Sequence, residues 1–78
     1  MPDLDERLAR CFRAVFPGLD EKTISTVHIE QVPEWDSLAS VTLARVLEEE
    51  FGMPIDLLDF ADLRGFQDVR QYIASRSA

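Results

Sequence analysis

The chain is poor in the residue types from which small chemical sites are built. One cysteine, Cys11, excludes an intramolecular disulfide and a multi-cysteine metal centre. Because Cys11 falls on an apolar helical stripe, a buried structural thiol is expected. The one histidine, His28, has no flanking ligand pattern and reads as a surface or half-buried imidazole, so no metal ligands are expected. There is no Gly-rich phosphate loop, no Gly-x-Ser-x-Gly elbow and no nucleophile with a nearby base in sequence. Pairing Ser37 with His28 would leave a hydrolytic site without a third orienting group or an oxyanion pocket. No catalytic residue is therefore expected, and the chain does not read as an enzyme. No apolar run approaches the roughly 20 residues that span a bilayer, and no basic-then-apolar leader opens the chain. A membrane is not expected among its partners, and a cytoplasmic location is.

Bases are also scarce. Eight Lys and Arg stand against fifteen Asp and Glu, a net charge of −7 that disfavours nucleic acid and anionic lipid and favours basic partners. Between Glu30 and Asp62 there are nine acids and one base, Arg45, so that stretch nets −8 and the remainder +1. Seventy-eight residues suffice for one small domain spanning 1–78, with one core that buries about 60% of the unfolded surface and leaves no volume for a deep catalytic cavity. A monomer is expected.

What is present is helical. Leu4, Leu8, Cys11, Phe12 and Val15 recur at helical spacing behind Met1-Pro2-Asp3, a suitable start, and Pro17-Gly18 stops the helix near Phe16. From Pro17 to Glu34 no period persists, but Leu19, Ile24, Val27, Ile29 and Val32 are expected to plug the core, with a short helical turn near Lys22 to Thr26. In the strongest helical segment, ending at Phe51, the helical step gathers Ser40, Leu43, Ala44, Leu47 and Phe51 on a core face. Leu38, Thr42, Arg45 and Glu49 fall opposite, flanked by Val41 and Val46. Gly52 and Pro54 end it. Ile55 to Leu63 reads as a turn and short helix capped by Asp56, with Leu57, Phe60, Ala61 and Leu63 inward. After Gly65 a last helix carries Phe66, Val69, Tyr72 and Ile73 and is expected to fray at Ser75-Arg76-Ser77-Ala78. Strand-like alternation of useful length is absent. The expected fold is all-α: a small four-helix bundle with a long first loop and a short third helix.

Glu34-Trp35-Asp36-Ser37-Leu38 leads into the second helix. Local physics makes Asp36 an N-cap and Ser37 a tolerated first helical residue. Glu48, Glu49 and Glu50 oppose the macrodipole in the last turn, a placement that recognition by a basic partner would explain. Exposed Leu38, with Val41 at its border, would then be part of a docking patch.

An acid, Ser37 and Leu38 opening a helix that ends in Glu48-Glu49-Glu50-Phe51 resembles the acyl carrier protein family. The similarity in pattern extends over nearly the whole chain, through Ile55-Asp56 to Tyr72-Ile73. The resemblance implies that Ser37 carries a 4'-phosphopantetheine arm through a phosphodiester, that Asp36 flanks and caps the site, and that the arm's thiol holds acyl groups as thioesters. It also implies partners: a phosphopantetheinyl transferase using CoA, and an acyl- or aminoacyl-loading ligase, ketosynthase or acyltransferase with basic surfaces that dock Leu38, Val41, Thr42, Arg45, Glu48 and Glu49. A space between helices two and three would shelter the acyl chain, with Ala44, Leu47, Leu58, Phe60 and Leu63 as its expected lining. Fatty-acid synthesis members tend to carry acids where this chain has Ala39 and Thr42, and Arg45 interrupts the acidic face. Trp35 is closer to free-standing carriers of dedicated or specialised pathways. The glycine-rich approach of peptidyl carriers is missing, which ranks an amino-acid cargo below a fatty-acyl or polyketide one. The alternative from a different class is an unmodified acidic helical adaptor that docks a basic protein without using Ser37.

Overall fold

The computed structural model describes residues 4–20 and 22–77. Leu4–Val15 form α1, with Leu8, Cys11 and Phe12 buried along the stripe that their spacing predicts. Phe16 still donates its N–H to the Phe12 carbonyl at 2.7 Å, but Pro17 prevents a further turn. The expected start signal, Met1-Pro2-Asp3, lies outside the described residues, as does Ala78.

The long connection winds into two 3-10 turns, Ile24–Thr26 and Ile29–Gln31. Ile24, Val27 and Val32 are buried, and Leu19 and Ile29 pack partly buried against the same core, so this loop closes the bundle with its own side chains. Two backbone bonds fasten it to the chain ahead of the last helix: Phe66 N–H to the Val27 carbonyl at 3.0 Å, and Ile29 N–H to the Arg64 carbonyl at 2.7 Å. They flank an isolated antiparallel bridge between His28 and Gly65. The approach needs glycine, because a Cβ at position 65 would stand 2.8 Å from the Val27 carbonyl oxygen.

Ser37–Phe51 form α2. Leu43, Ala44 and Leu47 are fully buried, while Leu38, Thr42, Arg45 and Glu49 are exposed, which is the expected division of faces. Gly52, at φ 62°, supplies the left-handed cap, its N–H bonding the Glu48 carbonyl. α3, Leu57–Phe60, is one turn long and cannot be stable by propensity alone. Neighbours hold it: Asp56 Oδ1 accepts from Leu58 N–H, Asp56 N–H donates to the Tyr72 hydroxyl at 3.3 Å, and Phe60 packs edge-on against the Tyr72 ring. Leu57 and Ala61, expected to point inward, lie on the same side of the turn as Phe60 but stay exposed, because they line an open cavity while Phe60 reaches the core.

Phe66–Ser77 form α4, with Phe66, Val69 and Ile73 fully buried. The expected fraying from Ser75 is replaced by helix through Ser77. Arg76 secures this end by pairing with Asp59 at 3.1 Å and lying over the Tyr72 ring. α1 packs mainly on α2 and also on α4, and Phe12 stands at the centre against Trp35 and Phe66, with ring centroids 5.6 and 5.1 Å away. Among the described residues there are four α-helices and no strand, which is the small helical bundle expected from the sequence.

Two of the three clustered glutamates have work inside the fold. Glu50 bridges to Arg7 of α1 at 2.8 Å, and Arg7 also donates to the Glu50 carbonyl at 2.7 Å. Glu48 accepts the Ile55 N–H at 2.8 Å and lies 3.6 Å from Arg45. A basic partner is thus not required to explain why carboxylates stand at this helix end. Glu49 has no such contact among the described residues.

Candidate functional site

The start of α2 is built from both sides of Ser37. Asp36 has an extended backbone, and its Oδ1 accepts the Ala39 N–H at 2.8 Å, satisfying a donor that the helix leaves unpaired. Its carbonyl takes the Ser40 N–H at 2.9 Å. Trp35, the residue before, is 4% exposed and lies within the core, its Nε1–H donating to Ser40 Oγ at 2.9 Å. A buried anchor, a cap and then an exposed serine follow one another along three residues.

Below Ser37 opens a cavity of about 410 Å³, within the size range of small-molecule sites. Ser37, Trp35 and Ser40 border it on the α2 side, Leu57, Phe60 and Ala61 on the α3 side, and Arg64 beyond them. Its wall is mostly apolar, with Asp36, Ser37, Ser40 and Arg64 as its polar residues. His28 does not reach it and lines a separate small cavity beside Gly65 and Asp68, so Ser37 and His28 form no pair. Among the described residues no cluster of three or more His, Cys, Asp or Glu could hold a metal ion.

A family described as a phosphopantetheine attachment site matches residues 35–73, half of the 78-residue chain. The chain belongs to this family. The attachment-site segment begins at Trp35 and ends at Ile73, taking in α2, α3, every cavity-lining residue but Ile29, and most of α4. Its prosthetic group is 4'-phosphopantetheine, and domains of this kind are carriers, typically without catalysis of their own. No curated protein and no solved structure matches the chain significantly. No helix among the described residues is long and apolar enough to cross a membrane.

The chemistry of the segment fits that group. A phosphodiester link needs a hydroxyl, and the attachment-site segment has four: Ser37, Ser40, Thr42 and Tyr72. Ser40 accepts from Trp35 and is half-buried, Thr42 Oγ1 donates to the Leu38 carbonyl at 3.1 Å, and the Tyr72 hydroxyl accepts from Asp56 N–H. Ser37 alone is exposed with no hydrogen-bond partner among the described residues.

The remaining residues singled out in the sequence separate into two groups. Leu38 and Val41 are 75% and 38% exposed, and Val41, Thr42, Arg45, Glu48 and Glu49 line one open depression along α2. The cavity lining differs from expectation. Of Ala44, Leu47, Leu58, Phe60 and Leu63, only Phe60 borders the cavity at Ser37. Ala44 and Leu47 are fully buried in the core deeper along α2, Leu58 is 82% exposed, and Leu63 lies against another depression beside Tyr72. The face that α2 turns to α1 is the core face, so its large apolar residues are already used there. The cavity instead uses Trp35, Ile29, Leu57, Ala61 and Arg64. The run Pro33-Glu34-Trp35 gave one clue, since a tryptophan in an acidic loop must bury its ring somewhere.

Proposed function

We propose that Ser37 is the residue to which the phosphopantetheine arm is joined, and that the chain is an acyl carrier which presents thioester-bound intermediates to partner enzymes. The observation that carries this reading is the uncommitted Ser37 hydroxyl: the other three hydroxyls of the attachment-site segment are engaged in the fold. Asp36 holds the helix start through its cap and leaves Oγ of the next residue facing outward. When bound, the arm supplies a thiol that exchanges acyl groups. The chain's own residues hold its attachment point, give it one wall to lie against and present the surface by which partners recognise it.

The partners on this reading are a phosphopantetheinyl transferase that uses CoA, and a loading ligase, ketosynthase or acyltransferase. Leu38, Val41, Thr42 and Arg45 with Glu49 form the docking surface, an apolar edge beside a carboxylate that suits a basic, partly apolar partner face. Glu48 contributes less, since its carboxylate also caps Ile55. The cargo is a fatty-acyl or polyketide intermediate of a dedicated pathway, and residues 1–78 act as one carrier domain. The adaptor reading loses its main support, because Glu48 and Glu50 have partners within the chain.

The test is intact-protein mass after incubation with CoA and a broad-specificity phosphopantetheinyl transferase. The wild type gains one phosphopantetheine and Ser37→Ala gains none. A Ser37→Ala chain that is still labelled would move the site elsewhere.

A further inference from the structure

Arg64 is the one base in the wall of the cavity that Ser37 borders. Other arginines of α2 and α4 are neutralised: Arg45 by Glu48, Arg70 by Asp5 and Arg76 by Asp59. The Arg64 guanidinium has no ion pair or hydrogen bond among the described residues. Its backbone, by contrast, is clamped on both sides. Arg64 N–H donates to Asp68 Oδ2 at 3.0 Å, and its carbonyl accepts the Ile29 N–H at 2.7 Å. The next residue, Gly65, is in the bridge to His28. The backbone of Arg64 is thus held in the cavity wall while its guanidinium has no protein anion among the described residues. The acid in the same wall, Asp36, is occupied by the Ala39 N–H.

We infer that Arg64 is a positioning residue that pairs with the phosphodiester on Ser37 and turns the arm into the cavity between α2 and α3. The inference rests on Ser37 being the attachment site. A phosphodiester is an anion throughout the neutral range, and here it would stand next to Asp36 on a surface of net negative charge. Repulsion from Asp36 favours an arm directed into solvent. A guanidinium across the cavity reverses that preference, because its planar fork matches phosphate oxygens. The arm then lies against Trp35, Val41, Leu57 and Phe60, and its thiol is shielded when no partner is bound.

The experiment compares the wild type, Arg64→Gln and Arg64→Lys, each converted to the phosphopantetheine form and checked by intact mass. Two readouts are taken: the rate at which the arm's thiol reacts with the neutral disulfide 4,4'-dithiodipyridine at pH 7, and the ³¹P resonance of the phosphodiester. Cys11 adds no signal, being 3% exposed, and the unmodified chain serves as the blank. At low salt Arg64→Gln is expected to react roughly two- to fivefold faster than the wild type, the range an exposed ion pair supports. Its ³¹P resonance should shift, Arg64→Lys should fall between, and the differences should close at 1 M salt. Equal rates and one unchanged ³¹P resonance across the three loaded proteins would overturn the role of Arg64 alone. A wild-type chain that takes up no arm would overturn the attachment reading and this inference with it.

Discussion

The indole Nε1–H of Trp35 donates to Ser40 Oγ across 2.9 Å, tying the last buried residue of the loop to the first turn of α2. The ring also meets Phe12 edge-on and Phe16 at a tilt, each with centroids 5.6 Å apart. The two residues between this anchor and the rest of the helix are the cap Asp36 and the free hydroxyl of Ser37. The place of Ser37 at the surface is therefore set from the core as well as by the cap. On the proposed function, this gives a transferase the hydroxyl in one fixed position.

Replacing the indole separates its two contributions. Trp35→Phe keeps an aromatic ring and loses the hydrogen bond, which should cost about 1 kcal/mol. Trp35→Ala also leaves a cavity against Phe12 and Phe16 and should cost about 3–5 kcal/mol. Urea unfolding followed by far-ultraviolet circular dichroism measures both. Equal losses for the two variants would mean that the ring's volume contributes little.

Gly65→Ala should destabilise by about 1–3 kcal/mol, because the new Cβ would stand 2.8 Å from a backbone oxygen that cannot swing aside. Amide exchange at Ile29 and Phe66, the donors of the two flanking bonds, should quicken with it. Gly18→Ala, where nothing lies within 4 Å, is the control and should show no such loss. Similar effects at the two glycines would argue that the loop contact is not under steric control.

Arg76→Gln removes the ion pair to Asp59 and the cation over Tyr72, both largely solvent-exposed, so global stability should fall by no more than about 1 kcal/mol. The local effect should be clearer. Amides of Phe60 and Ala61, which close α3, should exchange several-fold faster while those of α1 keep their rates. Unchanged exchange in α3 would show that Tyr72 and the Asp56 cap suffice to hold it.

Burial pushes the Cys11 thiol up from 9.0 to about 11, with Glu50 adding to the rise and Arg10 and Arg7 opposing it. Since the folded state holds this proton more tightly than the unfolded one, the associated stability is intact below pH 9 and is lost as pH rises towards 11. Chemical unfolding at pH 8, 9.5 and 10.5 should show the decline, and Cys11→Ala should flatten the part due to this group. Native protein at pH 8 should resist iodoacetamide and become labelled only in denaturant. Rapid labelling of the native chain would contradict the burial.

Much of the fold is legible in the sequence. Asp36, Gly52 and Asp56 act within a few residues of themselves, so their caps follow from residue type and position. The stripes of α1, α2 and α4 follow from spacing in the same way. Legibility ended where one segment meets another. Glu48 and Glu50 read as misplaced charges until Ile55 and Arg7 were seen beside them. Leu58 read as a cavity residue, yet in a one-turn helix the choice of which side chain faces in belongs to the neighbours, and Tyr72 gives that place to Phe60. The end of α4 read as frayed because Asp59, seventeen positions earlier, is invisible to local propensity.

The sequence by itself determined that this is a small acidic helical protein with a capped helix starting at Ser37, because capping and periodicity act over three or four residues. Only the tertiary structure decided that Ser37 has the one uncommitted hydroxyl of its segment, that Trp35 anchors it, and that Arg64 stands across the same cavity. Those facts depend on how α2, α3 and the long loop pack together. Packing is a property of the whole chain that no local window contains.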